Sequence, residues 1–207
     1  SVSIQVLLFM TALTLLPAAL MMMTSFTRII IVMAILRQAL GTAQTPSNQI
    51  MIGLALFLTF FIMAPVGTKS YQEGIRPYLD EKITKEEAWE KSVAPFRKFM
   101  LAQTREQDLG LFVELAGIPA PTNADDIPLH VLVPGFVISE LRTSFMIAFV
   151  IFIPFLVIDM VVSAVMMSMG MLMLPPVIVS LPFKVLLFVL VDGWYLLVKS
   201  LVESFKM

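Results

Sequence analysis

Residues 143–183 read TSFMIAFVIFIPFLVIDMVVSAVMMSMGMLMLPPVIVSLPF, and Asp159 is the single charge among them. In such a run every backbone N–H and C=O needs a partner without help from water, and within one segment only a helix supplies it. About 20 apolar residues cross a hydrocarbon core as helix, so the stretch is long enough to do so. It shows no alternation of period two, which argues against strands. Pro154, Pro175, Pro176 and Pro182 each lack an N–H and crowd the preceding turn. The expectation is a set of helices broken at those prolines.

The N-terminal half reads the same way. Ser1 to Thr27 carries no charge, and Pro17 is expected to kink it. Arg28 interrupts, Ile29 to Leu36 resumes the apolar run, and Arg37 closes it. Leu40 to Ser47 reads as a connection, with Gly41 ending one helix and Pro46 opening the next. Ile50 to Val66 is a third apolar segment, expected to stop at Pro65 and Gly67. The fold class is therefore all-α, with kinked helical hairpins associated with a membrane.

Composition supports this. Of 207 residues 58% are hydrophobic and 14% charged, with a mean hydropathy of +0.91. A soluble domain carries about 25% charged residues, and a chain of this size cannot hide so much apolar surface in one core. The surplus must face lipid, other subunits or both. The net charge of −1 offers no basic footprint for nucleic acid. Without cysteine there is no disulfide, thiol catalysis or thiolate metal site. Ser1 follows no basic leader segment, which suits a signal peptide already removed or a trimmed chain. Arg37 in the first short connection favours the cytoplasmic side for that turn and the far side for the segment after Gly67.

That segment is polar. Lys69 to Asp126 holds eight Lys/Arg and eleven Asp/Glu, yet it is patterned. Thr84-Lys85-Glu86-Glu87 fits a capping box, and Trp89, Val93, Phe96 and Met100 follow at helical spacing, with Pro95 expected to break or restart the helix. Asp108 to Ala116 reads as a shorter helix stopped by Gly117 and Pro119, and Ile118 to Pro128 as a return loop. Three regions result: an apolar hairpin over 1–67, a polar helical insert over 68–130 and a second apolar hairpin over 131–207.

No catalytic constellation is visible, and no cofactor, metal or enzymatic activity is expected. His130, the single histidine, has no carboxylate or further ligand at metal spacing. Charges inside apolar runs are more informative, because they are costly there and pair or face water. Glu140 and Lys184, of opposite sign, are the best candidates for pairing within or between subunits. Arg28, Arg142, Asp159 and Asp192 are further candidates for buried charges. The sixteen methionines cluster at 21–23 and at 166–173. Met is unbranched and adaptable, so a Met-rich run beside Gly170 and Pro175-Pro176 could form a deformable apolar seal or simply fill a core or lipid face. A transporter or channel subunit would also use buried charges and broken helices, but no internal repeat is evident.

Met22-Met23-Thr24-Ser25-Phe26-Thr27-Arg28, Arg37-Gln38-Ala39-Leu40-Gly41, Phe136-Val137-Ile138-Ser139-Glu140-Leu141-Arg142-Thr143, Phe152-Ile153-Pro154-Phe155 with Asp159, Ser180-Leu181-Pro182-Phe183-Lys184 and Val191-Asp192-Gly193-Trp194 stand in an order that resembles the flagellar biosynthetic FliP family over essentially the whole chain. Phe99-Met100-Leu101 and Gln103-Thr104-Arg105-Glu106 resemble its flagellar branch, and the homologous subunit of a virulence type III secretion system is the alternative. The resemblance implies a pore-forming subunit of the flagellar type III protein export gate, through which unfolded substrates pass. It implies a homopentamer ring completed by FliQ and FliR, with FlhA and FlhB nearby, in the bacterial inner membrane and on its periplasmic side. It also implies that apparent spans form bent hairpins, that Met171, Leu172 and Met173 form the pore seal, and that Glu140 and Lys184 pair between subunits.

Overall fold

The computed structural model describes all of the chain except residues 1, 120–122, 124, 125, 172, 206 and 207. The described residues form helices α1 (Val2–Met22), α2 (Phe26–Leu40), α3 (Asn48–Ser70), α4 (Arg76–Leu79), α5 (Lys85–Gln103), α6 (Glu106–Leu115), α7 (Leu129–Ser168), α8 (Pro176–Leu190) and α9 (Gly193–Glu203). A π-helical turn, Tyr71–Ile75, links α3 to α4. No strand occurs among the described residues, so the chain is all-α. Asn48–Leu79 and Leu129–Ser168 are long and apolar enough to cross a membrane, and α8 with α9 makes a third candidate bent by 65°.

The prolines do not cut the helices where the sequence suggested. α7 runs unbroken for 40 residues through Pro154, α8 through Pro182 and α5 through Pro95. α3 continues past Pro65 and Gly67, so the polar segment begins on an uninterrupted helix. A proline removes one bond of a ladder whose remaining bonds persist, and side-chain packing decides whether the loss ends the helix. Caps set the ends instead. Thr84 accepts from the Glu87 amide and Glu87 reaches back to the Thr84 amide, the expected capping box. Pro176, at the first helical position of α8, needs no N–H partner there. At 1.5 Å per residue α7 measures about 60 Å, roughly twice a hydrocarbon core, so it cannot lie wholly inside one as a simple span.

Contacts gather the chain into two compact units, each discontinuous in sequence. The first comprises the described residues of 2–27 and 59–141. Its core includes Ile62, Phe99, Met100, Val131, Leu132 and Phe136, with the rings of Phe99 and Phe136 edge to face at 6.1 Å. The Arg97 guanidinium donates to the Ile127 carbonyl and ties the end of the return loop to α5. Ser139 donates to Asp108 at 2.7 Å and accepts from the Arg105 amide at 3.0 Å, fixing the start of α6 to α7.

The second unit comprises residues 28–58 and 142–205. α2 supplies Ile29, Val32, Met33 and Leu36 to its core, met by Phe155, Phe188, Leu197 and Leu201. Phe188 stacks edge to face on Trp194 at 5.4 Å and lies 6.4 Å from Phe155. A Cβ on Gly193 would overlap the Phe188 ring, so only glycine fits at this bend.

Candidate functional site

Two buried cations in the second unit each sit on a helix C-terminus, where orphan carbonyls and the helix dipole present negative charge. Lys184, from α8, donates to the Ala39 carbonyl in the last turn of α2 at 3.1 Å. It also pairs with Asp159 of α7 at 2.5 Å. Ser180, one turn before Lys184 on the same face, donates to the other Asp159 oxygen at 2.5 Å. Arg28, in the first turn of α2, donates to the carbonyl and hydroxyl of Ser204, the C-cap of α9, at 2.8 and 3.0 Å. Its guanidinium lies 3.9 Å over the Phe205 ring. α2 is thus held at both ends by charge-assisted bonds, to α8 and α7 at one and to α9 at the other.

Glu140 is fully buried in the first unit. Arg142 and Asp192, expected as buried charges, are exposed on this chain. Asp192 takes a left-handed conformation, φ 52°, between α8 and α9, which Asp tolerates better than most residues. His130 is exposed in the first turn of α7. Among the described residues no group of three or more His, Asp or Glu is placed to hold a metal ion.

The methionine run ends α7. The Gly170 amide bonds the Met167 carbonyl and the Met171 amide bonds the Met166 carbonyl, with Gly170 at φ +73°. This is the Schellman arrangement, which stops a helix with a residue in the left-handed region. It leaves Met171 and Met173 in a loop, and Met173 is 97% exposed. Leu172 lies outside the described residues. Beside the loop, between the end of α7 and α8, is an apolar hollow of about 530 Å³, whose walls include Val161, Val165, Met169, Met171 and Phe183.

Sequence reasoning picked out Lys184 and Asp159 separately and missed what joins them. Ser180 was open to discovery, since it lies four residues before Lys184 on one helix. The Ala39 and Ser204 carbonyls were not, because backbone acceptors leave no mark in the residue pattern.

An all-α chain with two helices fit to cross a bilayer, and more apolar surface than it buries, falls in the class of helical membrane proteins. Within that class, the FliP family matches residues 9–201, and the chain belongs to it. Similar relatives, each called "Flagellar biosynthetic protein FliP", occur in Pectobacterium carotovorum subsp. carotovorum (56% identical, covering 99% of this chain and 80% of the relative) and Bacillus subtilis (55%, covering 99% and 93%). A third, from Buchnera aphidicola subsp. Acyrthosiphon pisum, is 57% identical over all of this chain, which spans 54% of the relative's length.

Proposed function

We propose that the chain is a pore-forming subunit of the flagellar type III protein export gate, in the bacterial inner membrane and on its periplasmic side. Five copies form a ring, completed by FliQ and FliR with FlhB and FlhA alongside, and unfolded flagellar substrates pass along its axis. The observation that carries this reading is the methionine loop. A helix stopped at Gly170 presents Met171 and Met173 to the outside of the chain, with more exposed methionines, Met167 and Met169, just before them. Large exposed apolar groups of this kind mark a surface that works against partners. Repeated around an axis, Met171, Leu172 and Met173 close a constriction that expels water and blocks ions, while unbranched thioethers yield to a passing chain. The energy for transport comes from elsewhere in the apparatus.

The charged pair between subunits, Glu140 with Lys184, belongs to the same reading. In it Lys184 exchanges Asp159 for a neighbour's Glu140 during assembly. Reversing both charges together should assemble better than either single reversal, and equal failure of all three would reject the pair.

The decisive experiment replaces Met171 and Met173 with Ala and measures ion leakage across membranes that hold the intact assembly. Increased leakage with normal particle mass is expected. Unchanged conductance with the particle intact would reject the seal.

A further inference from the structure

The described methionines divide by environment. Met33, Met51, Met63, Met100 and Met166 are buried, at 7% exposure or less. Met10, Met21, Met22, Met146 and Met160 are exposed on α1 and α7, on apolar helical faces of the kind that lipid or neighbouring subunits cover in a helical membrane protein. Met167, Met169, Met171 and Met173 form a third group, all exposed, where α7 ends. Gly170, in the left-handed region, turns the chain out of the helix, so Met171 and Met173 stand in a loop rather than on a helical face. Met173 is the most exposed methionine among the described residues. The hollow beside the loop is walled by Val, Ile, Met and Phe side chains alone. Leu172, between the two loop methionines, carries no sulfur.

We propose, on the seal reading above, that Met171 and Met173 are a peroxide-sensitive site whose oxidation to methionine sulfoxide opens the seal. Peroxide must reach the sulfur, so exposure sets the rate at each methionine. The sulfur lone pair attacks one oxygen of hydrogen peroxide, and the O–O bond breaks. After proton transfer the second oxygen leaves as water. Sulfur loses two electrons and peroxide gains them. The product replaces a flexible apolar side chain with a polar one. Its new oxygen accepts hydrogen bonds from water, so a constriction that expels water becomes wet and ions pass. The loop is favoured over the helical methionines because it stands off the helix and lines the passage that small solutes enter. The change is reversible, since methionine sulfoxide reductases, one for each epimer, restore the thioether.

The test treats membranes that hold the intact assembly with millimolar hydrogen peroxide, follows sulfoxide at each methionine by peptide mass spectrometry, and records ion conductance in parallel. Met171 and Met173 should be oxidised roughly tenfold faster than buried Met33 and Met100, which serve as controls within the same chain. Conductance should rise as they are oxidised, and the two reductases should bring it back. Peroxide should leave the conductance of an assembly carrying Met171→Leu with Met173→Leu where it stood before treatment, although the other exposed methionines are still oxidised. Oxidation of Met171 and Met173 no faster than that of Met33 overturns the proposal. So does an oxidised loop with unchanged conductance, or a peroxide-induced leak in the double Leu variant. The Ala variants described above separate this response from the seal itself. If they leak and the oxidised assembly does not, the peroxide response alone is rejected; if they stay tight, the seal is rejected and the response with it.

Discussion

Replacing Asp159 with Asn tests the anchoring of α2 most directly. The change keeps size and leaves an acceptor for Ser180, but it strips Lys184 of its counter-charge. The Lys184 side chain is 3% exposed, against 24% for Asp159. Removing one partner of a fully buried pair costs about 3–5 kcal/mol, because the other is left charged without solvent. Here the Ala39 carbonyl remains as an acceptor and water reaches the site through Asp159, so a loss of about 2–3 kcal/mol is expected. For a chain of this size each kcal/mol lowers Tm by roughly 2–4 °C, giving a fall of about 4–12 °C. The mirror variant, Lys184→Met, strands a carboxylate that water can reach, and should cost less. Thermal unfolding of the purified chain in one detergent, followed by intrinsic tryptophan fluorescence, reads both variants. If Lys184→Met proves the more damaging, or Asp159→Asn leaves Tm within about 1 °C, the lysine is not held by this carboxylate and the reasoning fails.

Gly193→Ala drives a methyl into the Phe188 ring and should cost about 1–3 kcal/mol, with an altered Trp194 emission spectrum as the direct sign. Unchanged Tm and emission would mean that the α8–α9 bend relaxes freely. Gly170→Ala meets open space, so its expected cost of about 1–2 kcal/mol is backbone strain alone, and Gly170→Asn should lower Tm by less. Equal effects from the two would reject that account. Thr84→Ala removes half of the capping box, about 1 kcal/mol, and should speed amide exchange at Glu87 roughly fivefold. Unaltered exchange would show the first turn of α5 to be held by other contacts.

Much was legible without coordinates. The capping box at Thr84 was readable because both partners are side chains at fixed spacing. The stop after Ser168 was not: the break was expected at Pro175-Pro176, whereas Gly170 in the left-handed region ends α7 before them. The prolines misled because proline reports only the loss of one bond, while continuation depends on how many flanking turns are held by packing. Pro154 stands between buried Ala148 and buried Phe155, and beyond them Asp159 bonds Ser180 and Lys184, so the helix there is fastened on both sides of the missing bond.

The sequence by itself determined the all-α class, the excess of apolar surface and the family, because these follow from composition, periodicity and long ordered motifs. It also marked Arg28, Asp159 and Lys184 as charges in need of company. Only the tertiary structure decided what that company is: Asp159 and Ser180 with the Ala39 carbonyl for Lys184, and Ser204 with the Phe205 ring for Arg28. The physical reason is that a helix end attracts any cation through its unpaired carbonyls. Which cation arrives is settled by residues more than a hundred positions away.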